Sequence, residues 1–422
     1  MEKKSFKKNF IWNTLGTGLN AFNSLFFMIV VTRINGLDNA GIFTIAFATA
    51  CIIYFLGVYA GRVYQVTETD KSINEKEYIA NRLITTVLML IIVIIFVMVK
   101  KYNMFKSTVF IFLTLYKALE AFSDVLYGIL QKNEKLEIVG KSLFLKSLIS
   151  IIAFTITDII LKNMIISILG IIIANIIMMI FYDFKKSKKY IDFSCKINKR
   201  NILKILKNGF FTFGIAILGV YVLNAPKYAI DNYLSNDFQT IFGIIVMPAT
   251  VIGLIAQFLI HPYLNQLVKL YEYNEYKNFK KLIFKLILMV IAFGCFATIM
   301  AFLIGTQVLG IVYGIQLGTY KFALALIIIS ATLYTIGTIY SSILITVRVT
   351  FPQFIIYLIV SVFACIISNI LTKSFEIKGA VLSYFGIMLM QSILYVSYSN
   401  FKLKRVFKEK YDEWCYSYNS SI

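Results

Sequence analysis

An apolar run from Val109 to Gln131 carries three ionisable side chains near its middle, Lys117, Glu120 and Asp124. Their spacing of three and then four residues places them on one face of a helix. An ionised side chain at the centre of an isolated membrane helix costs roughly 2.5 to 3.5 kcal/mol, so such residues usually face a partner or a water-filled cavity. Two interpretations follow. The three side chains line a polar cavity, or Lys117 neutralises Glu120 while Asp124 bonds a neighbouring helix.

The composition places this charged face inside a membrane. Of the 422 residues, 59% are hydrophobic and 15% are charged, and the mean hydropathy is +0.78. A soluble domain has roughly 45 to 50% apolar and 25% charged residues. The composition therefore predicts an all-α, polytopic membrane protein.

Apolar runs of about 20 residues predict about twelve transmembrane helices. The predicted limits are 10–32, 40–61, 83–99, 108–130, 143–161, 164–182, 209–229, 239–261, 284–305, 321–346, 353–372 and 379–400. Most Lys and Arg residues fall in connections that are cytoplasmic if the N-terminus is inside, so both termini are predicted to be cytoplasmic. This topology explains the net charge of +21, and no nucleic-acid partner is predicted.

A basic stretch divides the chain near its middle. We predict an N-terminal six-helix lobe at 1–183, a cytoplasmic basic linker at 184–207, a C-terminal six-helix lobe at 208–400 and a cytoplasmic tail at 401–422. The alternative for the linker is an ordinary basic loop that touches anionic lipid. The halves open alike, with Lys-Asn-Phe from Lys8 and Lys-Asn-Gly-Phe from Lys207. Six spans followed by six in the same orientation predict a parallel repeat about a pseudo-twofold axis.

No enzyme signature is found in the sequence. His261 is the only histidine, and the carboxylates within predicted spans are Glu120, Asp124 and Asp158. There is no P-loop or nucleophile elbow, and the five cysteines form no CxxC pair. We therefore predict a protein that is not an enzyme, with no metal site and no cofactor. Without an ATP site, transport must use an ion gradient, of Na+ or H+, or the gradient of the substrate itself.

Several short motifs carry a resemblance to a known family. The connection from Thr32 to Phe43 fits the pattern R-x-x-G-x-x-x-x-G-I-[FY]. Further matching patches are Tyr64–Thr67, Gly128–Gln131, Asn224–Tyr228, Met247-Pro248, Pro262–Leu264 and Val308–Gly314. With these patches the chain resembles the polysaccharide transporters, including the Wzx-type flippases of lipid-linked repeat units, in the multidrug/oligosaccharidyl-lipid/polysaccharide (MOP) superfamily.

The resemblance implies a MATE/MOP-like, V-shaped pair of six-helix bundles around a cationic cavity. It implies a flippase that passes undecaprenyl-diphosphate-linked oligosaccharide to the outer leaflet of the bacterial cytoplasmic membrane, for capsule, O-antigen, teichoic acid or a related polymer. The implied partners are the lipid-linked oligosaccharide and membrane lipids, with a polysaccharide polymerase and glycosyltransferases as candidate protein partners.

A diphosphate-linked sugar needs polar walls and cations that bind the diphosphate reversibly. The candidate substrate-binding residues are Arg62 and His261 at the inner mouth, Lys117 near the midplane, and Arg33 and Lys227 at the outer mouth. Glu120 and Asp124 are candidate coupling residues, because a diphosphate that competes for Lys117 would free Glu120 for a proton or Na+. Interfacial snorkelling remains the alternative for Arg33 and Lys227, and helix capping for His261.

Two other function classes remain open. A cation-coupled multidrug exporter of the same superfamily fold would be expected to line its cavity with acidic residues, whereas the candidates here are mostly basic. A membrane-embedded polymerase or transferase would be expected to have a large loop outside the membrane. No predicted connection is long enough for one.

Overall fold

The structure, a computed structural model, describes residues 2–59, 61–68, 73–192, 194, 197–346 and 349–419. Within these ranges, the side chains of residues 2–7, 63, 256–259, 261, 262, 264, 265, 346 and 408–419 lie outside the description. Every regular element of the described residues is helical.

The described residues form thirteen α-helices. In chain order these are α1 Glu2–Val58, α2 Gly61–Thr67, α3 Glu75–Lys100, α4 Met104–Lys132, α5 Leu136–Leu161, α6 Met164–Met178, α7 Lys185–Ser187, α8 Lys199–Tyr233, α9 Asn236–Glu272, α10 Tyr276–Met300, α11 Thr306–Tyr313, α12 Lys321–Thr346 and α13 Phe351–Asn419. Two π-helical turns, Met179–Phe184 and Ala301–Gly305, extend α6 and α10, and 3-10 turns lie at Lys188–Tyr190 and Gly318–Tyr320.

Two of the long helices are broken inside. Gly36 interrupts α1 with a φ of 82°, a conformation that glycine adopts without a steric penalty, and it lies within the turn motif Thr32–Phe43. Asn35 Nδ2 donates a 2.5 Å hydrogen bond to Asp158 Oδ2, which fastens this turn to the end of α5. In α13, Glu376 has a φ of 51°. Each of these helices therefore contains two spans.

The structure supports the predicted number of spans. Nine stretches of the described residues are long and apolar enough to cross a membrane. The broken helices α1 and α13 account for two of these stretches and contribute one additional span each, and the charged helix α4 supplies the twelfth. The spans can be counted from the sequence because each one has its own apolar run, even where two runs join in one helix.

The chain divides into two compact units. The N-terminal unit contains Met1–Val220 with Ser235–Thr240, and the C-terminal unit contains Tyr221–Leu234 with Ile241–Ile422. The predicted boundaries 1–183, 184–207, 208–400 and 401–422 stay a prediction.

The N-terminal unit is built around an aromatic core. Phe27 and Phe43 of α1 pack against Phe154 of α5, with 4.8 Å between the ring centroids of Phe27 and Phe154. Tyr116 of α4 completes the cluster and is 1% exposed.

Helix α3 buries one face and exposes the other. The exposed face is apolar and includes Leu83, Ile84, Val87, Leu88 and Ile91. Such a face needs lipid rather than water around it.

The C-terminal unit has its own core. Tyr357 and Tyr395 of α13 lie edge to face with 5.7 Å between ring centroids. Phe242 of α9 meets Tyr384 of α13 in the same geometry at 6.4 Å. Aromatic pairs of this kind add about 0.5 to 1.5 kcal/mol beyond the area they bury, so they fix how the helices of this unit pack.

The basic stretch 184–207 is attached to the N-terminal unit by a buried carboxylate. Glu77, at the start of α3, is 1% exposed. Its Oε1 accepts hydrogen bonds from Asn198 N and Asn201 Nδ2, each 3.0 Å long, and its Oε2 accepts one from Asn74 N at 2.9 Å. Because Asn198 directly precedes α8, one carboxylate stabilises the N-termini of both α3 and α8.

Apolar side chains of the same stretch add to this attachment. Ile191 and Ile205 are buried in a cluster with Ile73, Tyr78 and Ile129. The stretch is basic, as its sequence shows, and it also has an apolar face against α3 and α4.

Candidate functional site

A polar cavity of about 150 Å³ lies within the N-terminal unit. Its walls come from α1, α2, α4, α5 and α6, and most of its lining side chains are charged, amide, hydroxyl or phenol groups. These are Thr17, Asn20, Asn23, Tyr54, Arg62, Tyr116, Glu120, Ser123, Asp124, Tyr127, Lys146, Ser147 and Asn175, together with Leu143. A cavity with such walls in a membrane-spanning unit is a candidate binding site.

Lys117 and Glu120 form the first ion pair at this cavity. Lys117 Nζ lies 2.6 Å from Glu120 Oε2, and the two side chains are 14% and 18% exposed. The ammonium also lies 4.9 Å from the ring centroid of Phe47 and 5.2 Å from that of Tyr116. Aromatic faces attract a cation most where water is scarce. Lys117 is therefore held by one carboxylate and a set of rings, and Glu120 stands in the cavity wall.

Asp124 is shared by two arginines from other helices. Its Oδ2 lies 3.4 Å from Arg82 Nη2, and its Oδ1 lies 3.8 Å from Arg62 Nε. The side chain of Arg82 is 6% exposed and that of Arg62 is 29% exposed. Arg82 also donates to the carbonyl oxygen of Gly57 at 3.2 Å, near the C-terminus of α1. Arg82 is thus fixed in place, whereas Arg62 lies farther from Asp124 and lines the cavity.

A second buried ion pair joins α5 to the turn after α6. Lys146 Nζ lies 2.5 Å from Asp183 Oδ2, and the side chains are 7% and 0% exposed. Asp183 also accepts hydrogen bonds from the hydroxyls of Ser142 and Tyr127. Lys146 donates a further 2.6 Å hydrogen bond to Ser123 Oγ. Both carboxylate oxygens of Asp183 are therefore bound by side chains of the protein, and Lys146 is held by Asp183 and Ser123.

Three of these charged residues, Arg82, Lys146 and Asp183, are not among the site residues predicted from the sequence. Two signals were present in the sequence. Lys146 lies inside the predicted span 143–161, and Asp183 directly follows the run 164–182.

The neutral side chains of the cavity include an unsatisfied acceptor. Asn23 is 3% exposed, and its Oδ1 has no hydrogen-bond partner among the described residues. Asn20 Oδ1 accepts a 3.3 Å hydrogen bond from Ser147 Oγ. Amide and hydroxyl groups of this kind suit a ligand that both donates and accepts hydrogen bonds.

The formal charges around the cavity nearly cancel. Four cations, Arg62, Arg82, Lys117 and Lys146, meet three carboxylates, Glu120, Asp124 and Asp183, which leaves a net charge of +1. An anion that enters must therefore compete with a carboxylate of the protein. The described residues contain no group of three His, Cys, Asp or Glu side chains able to hold a metal ion.

The structure brings four of the seven predicted site residues to this cavity: Arg62, Glu120 and Asp124 in its wall, and Lys117 beside it. Arg33 lies before the break in α1 and is exposed. Since the rest of α1 spans about 33 Å at 1.5 Å per residue, Arg33 lies far from Arg62. Lys227 is half-buried in the part of α8 that belongs to the C-terminal unit.

His261 belongs to α9, and its side chain lies outside the described residues. Whether Arg33, Lys227 and His261 bind substrate stays a prediction.

No protein-family model matches the chain. It is 26% identical over 404 residues to a capsular polysaccharide biosynthesis protein, CapF, of Staphylococcus aureus, and the match covers 95% of this chain and 100% of that protein.

The fold is similar to solved MATE family transporters of the MOP superfamily. An inward-facing structure matches with a TM-score of 0.70 at 13% identity, covering 94% of this chain and 99% of the other. An outward-facing structure matches with a TM-score of 0.60 at 15% identity, covering 96% and 97%. A MOP superfamily transporter from Pyrococcus furiosus, described as having a binding pocket of reversed polarity, matches at 0.57 and 13% identity, covering 96% of each chain. The predicted all-α, MATE-like membrane fold is confirmed.

Proposed function

We propose that this chain is a polysaccharide transporter of the MOP superfamily and that it acts as a flippase. It moves undecaprenyl-diphosphate-linked oligosaccharide repeat units from the cytoplasmic to the outer leaflet for the assembly of a cell-surface polysaccharide. The similarity to the capsular polysaccharide biosynthesis protein, which covers the full length of that protein, supports the substrate class. The MATE-like fold supports a transporter rather than an enzyme. In this proposal the protein lies in a bacterial cytoplasmic membrane with both termini inside, and polymerases and glycosyltransferases act next to it.

The observation that carries the proposal is the pairing of Asp124 with two arginines. A diphosphate oxygen can replace Asp124 as the partner of Arg62, because Asp124 keeps Arg82 at 3.4 Å and is not left unpaired. Charge-assisted hydrogen bonds of this kind are strong and directional. The exchange lets Arg62 bind the head group without a large cost to the fold, and release it when Asp124 takes Arg62 back.

Lys117 and Glu120 supply the coupling step in this proposal. When negative charge of the substrate attracts Lys117, the Glu120 carboxylate loses its partner at 2.6 Å. An unpaired carboxylate in a low-dielectric site favours a proton or a small cation. Substrate entry would then be linked to the binding of H+ or Na+.

A cation-coupled drug exporter of the same fold is less well supported. A cationic drug needs a free carboxylate, whereas both wall carboxylates, Glu120 and Asp124, already have Lys or Arg partners. The similarity to MATE transporters, at 13 to 15% identity, concerns the fold alone.

Deletion of the gene tests the proposal in cells. We expect surface polysaccharide to disappear and lipid-linked oligosaccharide to accumulate on the inner leaflet. Expression of the wild type should restore the polymer, and so should the control Lys141→Ala, which removes a cation of α5 that pairs with Glu137 outside the cavity. If the deletion leaves the polymer intact and raises sensitivity to cationic drugs, the exporter is the better description.

A further inference from the structure

The Lys146–Asp183 pair has no part in the exchange proposed above, yet it lies at the same cavity. Lys146 is in the cavity wall, and Asp183 is in the π-helical turn Met179–Phe184 that follows α6. Both side chains are more than nine-tenths buried, with exposures of 7% and 0%. A buried ion pair made only for stability can often be replaced by apolar residues at no loss. Its position at a polar cavity calls for a different explanation.

Asp183 is fully occupied by the protein itself. Its Oδ2 lies 2.5 Å from Lys146 Nζ and accepts from Tyr127 OH at 3.3 Å, and its other oxygen accepts from Ser142 Oγ. Two hydroxyls and the ammonium of Lys146 thus occupy both oxygens of Asp183. Its role is to hold Lys146 in place.

Lys146 is not fully occupied. An ammonium group has three N–H donors, and among the described residues two hydrogen-bonding partners are found, Asp183 Oδ2 and Ser123 Oγ. The ring of Tyr127 lies 5.5 Å from the ammonium and offers no oxygen acceptor of its own there. One donor therefore remains at a cavity wall that also carries Ser147 and Asn175. A buried donor without an acceptor is costly, so the position calls for water or a ligand oxygen.

The size of the cavity limits what that ligand is. Pockets that enclose a whole drug-sized ligand measure roughly 300 to 1,000 Å³, whereas this cavity measures about 150 Å³. It therefore takes one group of a large substrate. The net charge of +1 and the unused donor favour an anionic oxygen.

We propose that Lys146 is a second anion-binding residue of the N-terminal unit, which donates a hydrogen bond to a phosphoryl oxygen of the substrate, and that Asp183 is its positioning residue. The inference rests on the proposed function for the identity of the substrate. Arg62 gives up Asp124 when the anion arrives, whereas Lys146 keeps Asp183 and offers its third donor. The two residues thus supply one mobile and one fixed positive charge.

A paired substitution separates binding from stability. Either single change leaves an unpaired buried charge, so the test uses Lys146→Gln with Asp183→Asn, whose amides can bond each other and the neighbouring hydroxyls. If this protein does not fold, Lys146→Met with Asp183→Leu takes its place. The control is Lys141→Gln with Glu137→Gln, because that ion pair lies on the same helix at 3.4 Å and its side chains are 31% and 25% exposed.

The measurement is the melting temperature of the purified full-length protein at increasing concentrations of inorganic diphosphate. We expect diphosphate to stabilise the wild type and the control equally, and to bind the cavity double variant at least tenfold more weakly. Glucuronate serves as the second probe, since a sugar carboxylate offers the same anionic oxygen without phosphorus. Equal diphosphate affinity in the double variant would overturn the assignment of Lys146. No stabilisation of the wild type by diphosphate, or stabilisation by glucuronate alone, would overturn the phosphoryl assignment.

The same proteins distinguish this inference from the proposed function. Diphosphate binding that depends on Lys146 stands even if the wild type fails to move a lipid-linked oligosaccharide. In that case the flippase proposal fails, and the anion site remains.

Discussion

Replacing each arginine around Asp124 by alanine separates substrate binding from folding. Arg62→Ala removes the longer contact, 3.8 Å from Nε to Oδ1, and leaves Asp124 with Arg82. Arg82→Ala removes the shorter contact of 3.4 Å and also the donor to the Gly57 carbonyl oxygen. The two substitutions delete the same charge from the same cluster, so they control for each other.

The expected costs in stability differ because the two arginines differ in exposure. The side chain of Arg62 is 29% exposed and lies 3.8 Å from Asp124, so we expect this partly exposed pair to contribute about 1 kcal/mol, the upper end of the range for surface pairs. The side chain of Arg82 is 6% exposed, and breaking a buried pair costs about 3 to 5 kcal/mol. We therefore expect Arg82→Ala to be less stable than Arg62→Ala by about 2 to 4 kcal/mol.

For transport we expect the reverse order. Arg62→Ala should lose more transport for each kcal/mol of stability that it loses than Arg82→Ala does. A hydrogen bond to a charged group contributes about 1.5 to 3 kcal/mol, so Arg62→Ala should bind the diphosphate head group about 10- to 150-fold more weakly. The assay compares melting temperature in detergent with surface polysaccharide at matched protein levels. If Arg62→Ala and Arg62→Glu both export normally, Arg62 does not bind substrate. If Arg62→Ala melts as low as Arg82→Ala, Arg62 is a structural residue.

Two further predictions concern other parts of the N-terminal unit. In a cysteine-free background, cysteines at positions 120 and 124 should react with a water-soluble thiol reagent, because Glu120 and Asp124 stand in the cavity wall, whereas a cysteine replacing Phe110, which is 0% exposed, should not. Protection of both wall positions in every condition would show a closed structural salt-bridge cluster. Glu77→Ala should release the segment around Asn198 and raise its rate of proteolysis in detergent, because it removes the acceptor of Asn198 N. Glu137→Ala, which removes a partly exposed carboxylate, should leave proteolysis unchanged, and an equal rate in both variants would refute the attachment.

The fold could be predicted from the sequence because the membrane imposes a simple rule. Every backbone polar group must be satisfied within its own segment, so apolar runs of sufficient length become helices. The turn motif Thr32–Phe43 likewise contains the break at Gly36, where the backbone needs a positive φ. Each of these features depends on local sequence alone.

Part of the candidate site could be predicted for the same reason. Lys117, Glu120 and Asp124 interrupt one apolar run, and the structure pairs Lys117 with Glu120 as their spacing indicates. The partners of Asp124 could not be predicted. Arg62 and Arg82 come from α2 and α3, and only the packing of those helices against α4 brings them near the carboxylate.

Charges near span ends are the residues that the sequence could not assign to the site. The positive-inside rule explains Arg82 and Lys146 as topology signals, and it gives no information on whether such a residue points into the protein. The attachment of 184–207 was missed because Ile191 and Ile205 are isolated apolar residues in a basic sequence. Their burial depends on the neighbouring helices α3 and α4.

Transport by the purified protein tests the central claim most directly. The full-length chain is reconstituted into liposomes that contain a fluorescent undecaprenyl-diphosphate-linked oligosaccharide, and a membrane-impermeant reagent bleaches the label on the outer leaflet. We predict that the wild type makes nearly all of the label accessible, that Lys141→Ala does the same, and that Arg62→Ala leaves the inner-leaflet half protected. If half of the label stays protected with the wild type, or if Arg62→Ala moves the lipid as fast as the wild type, the account is contradicted.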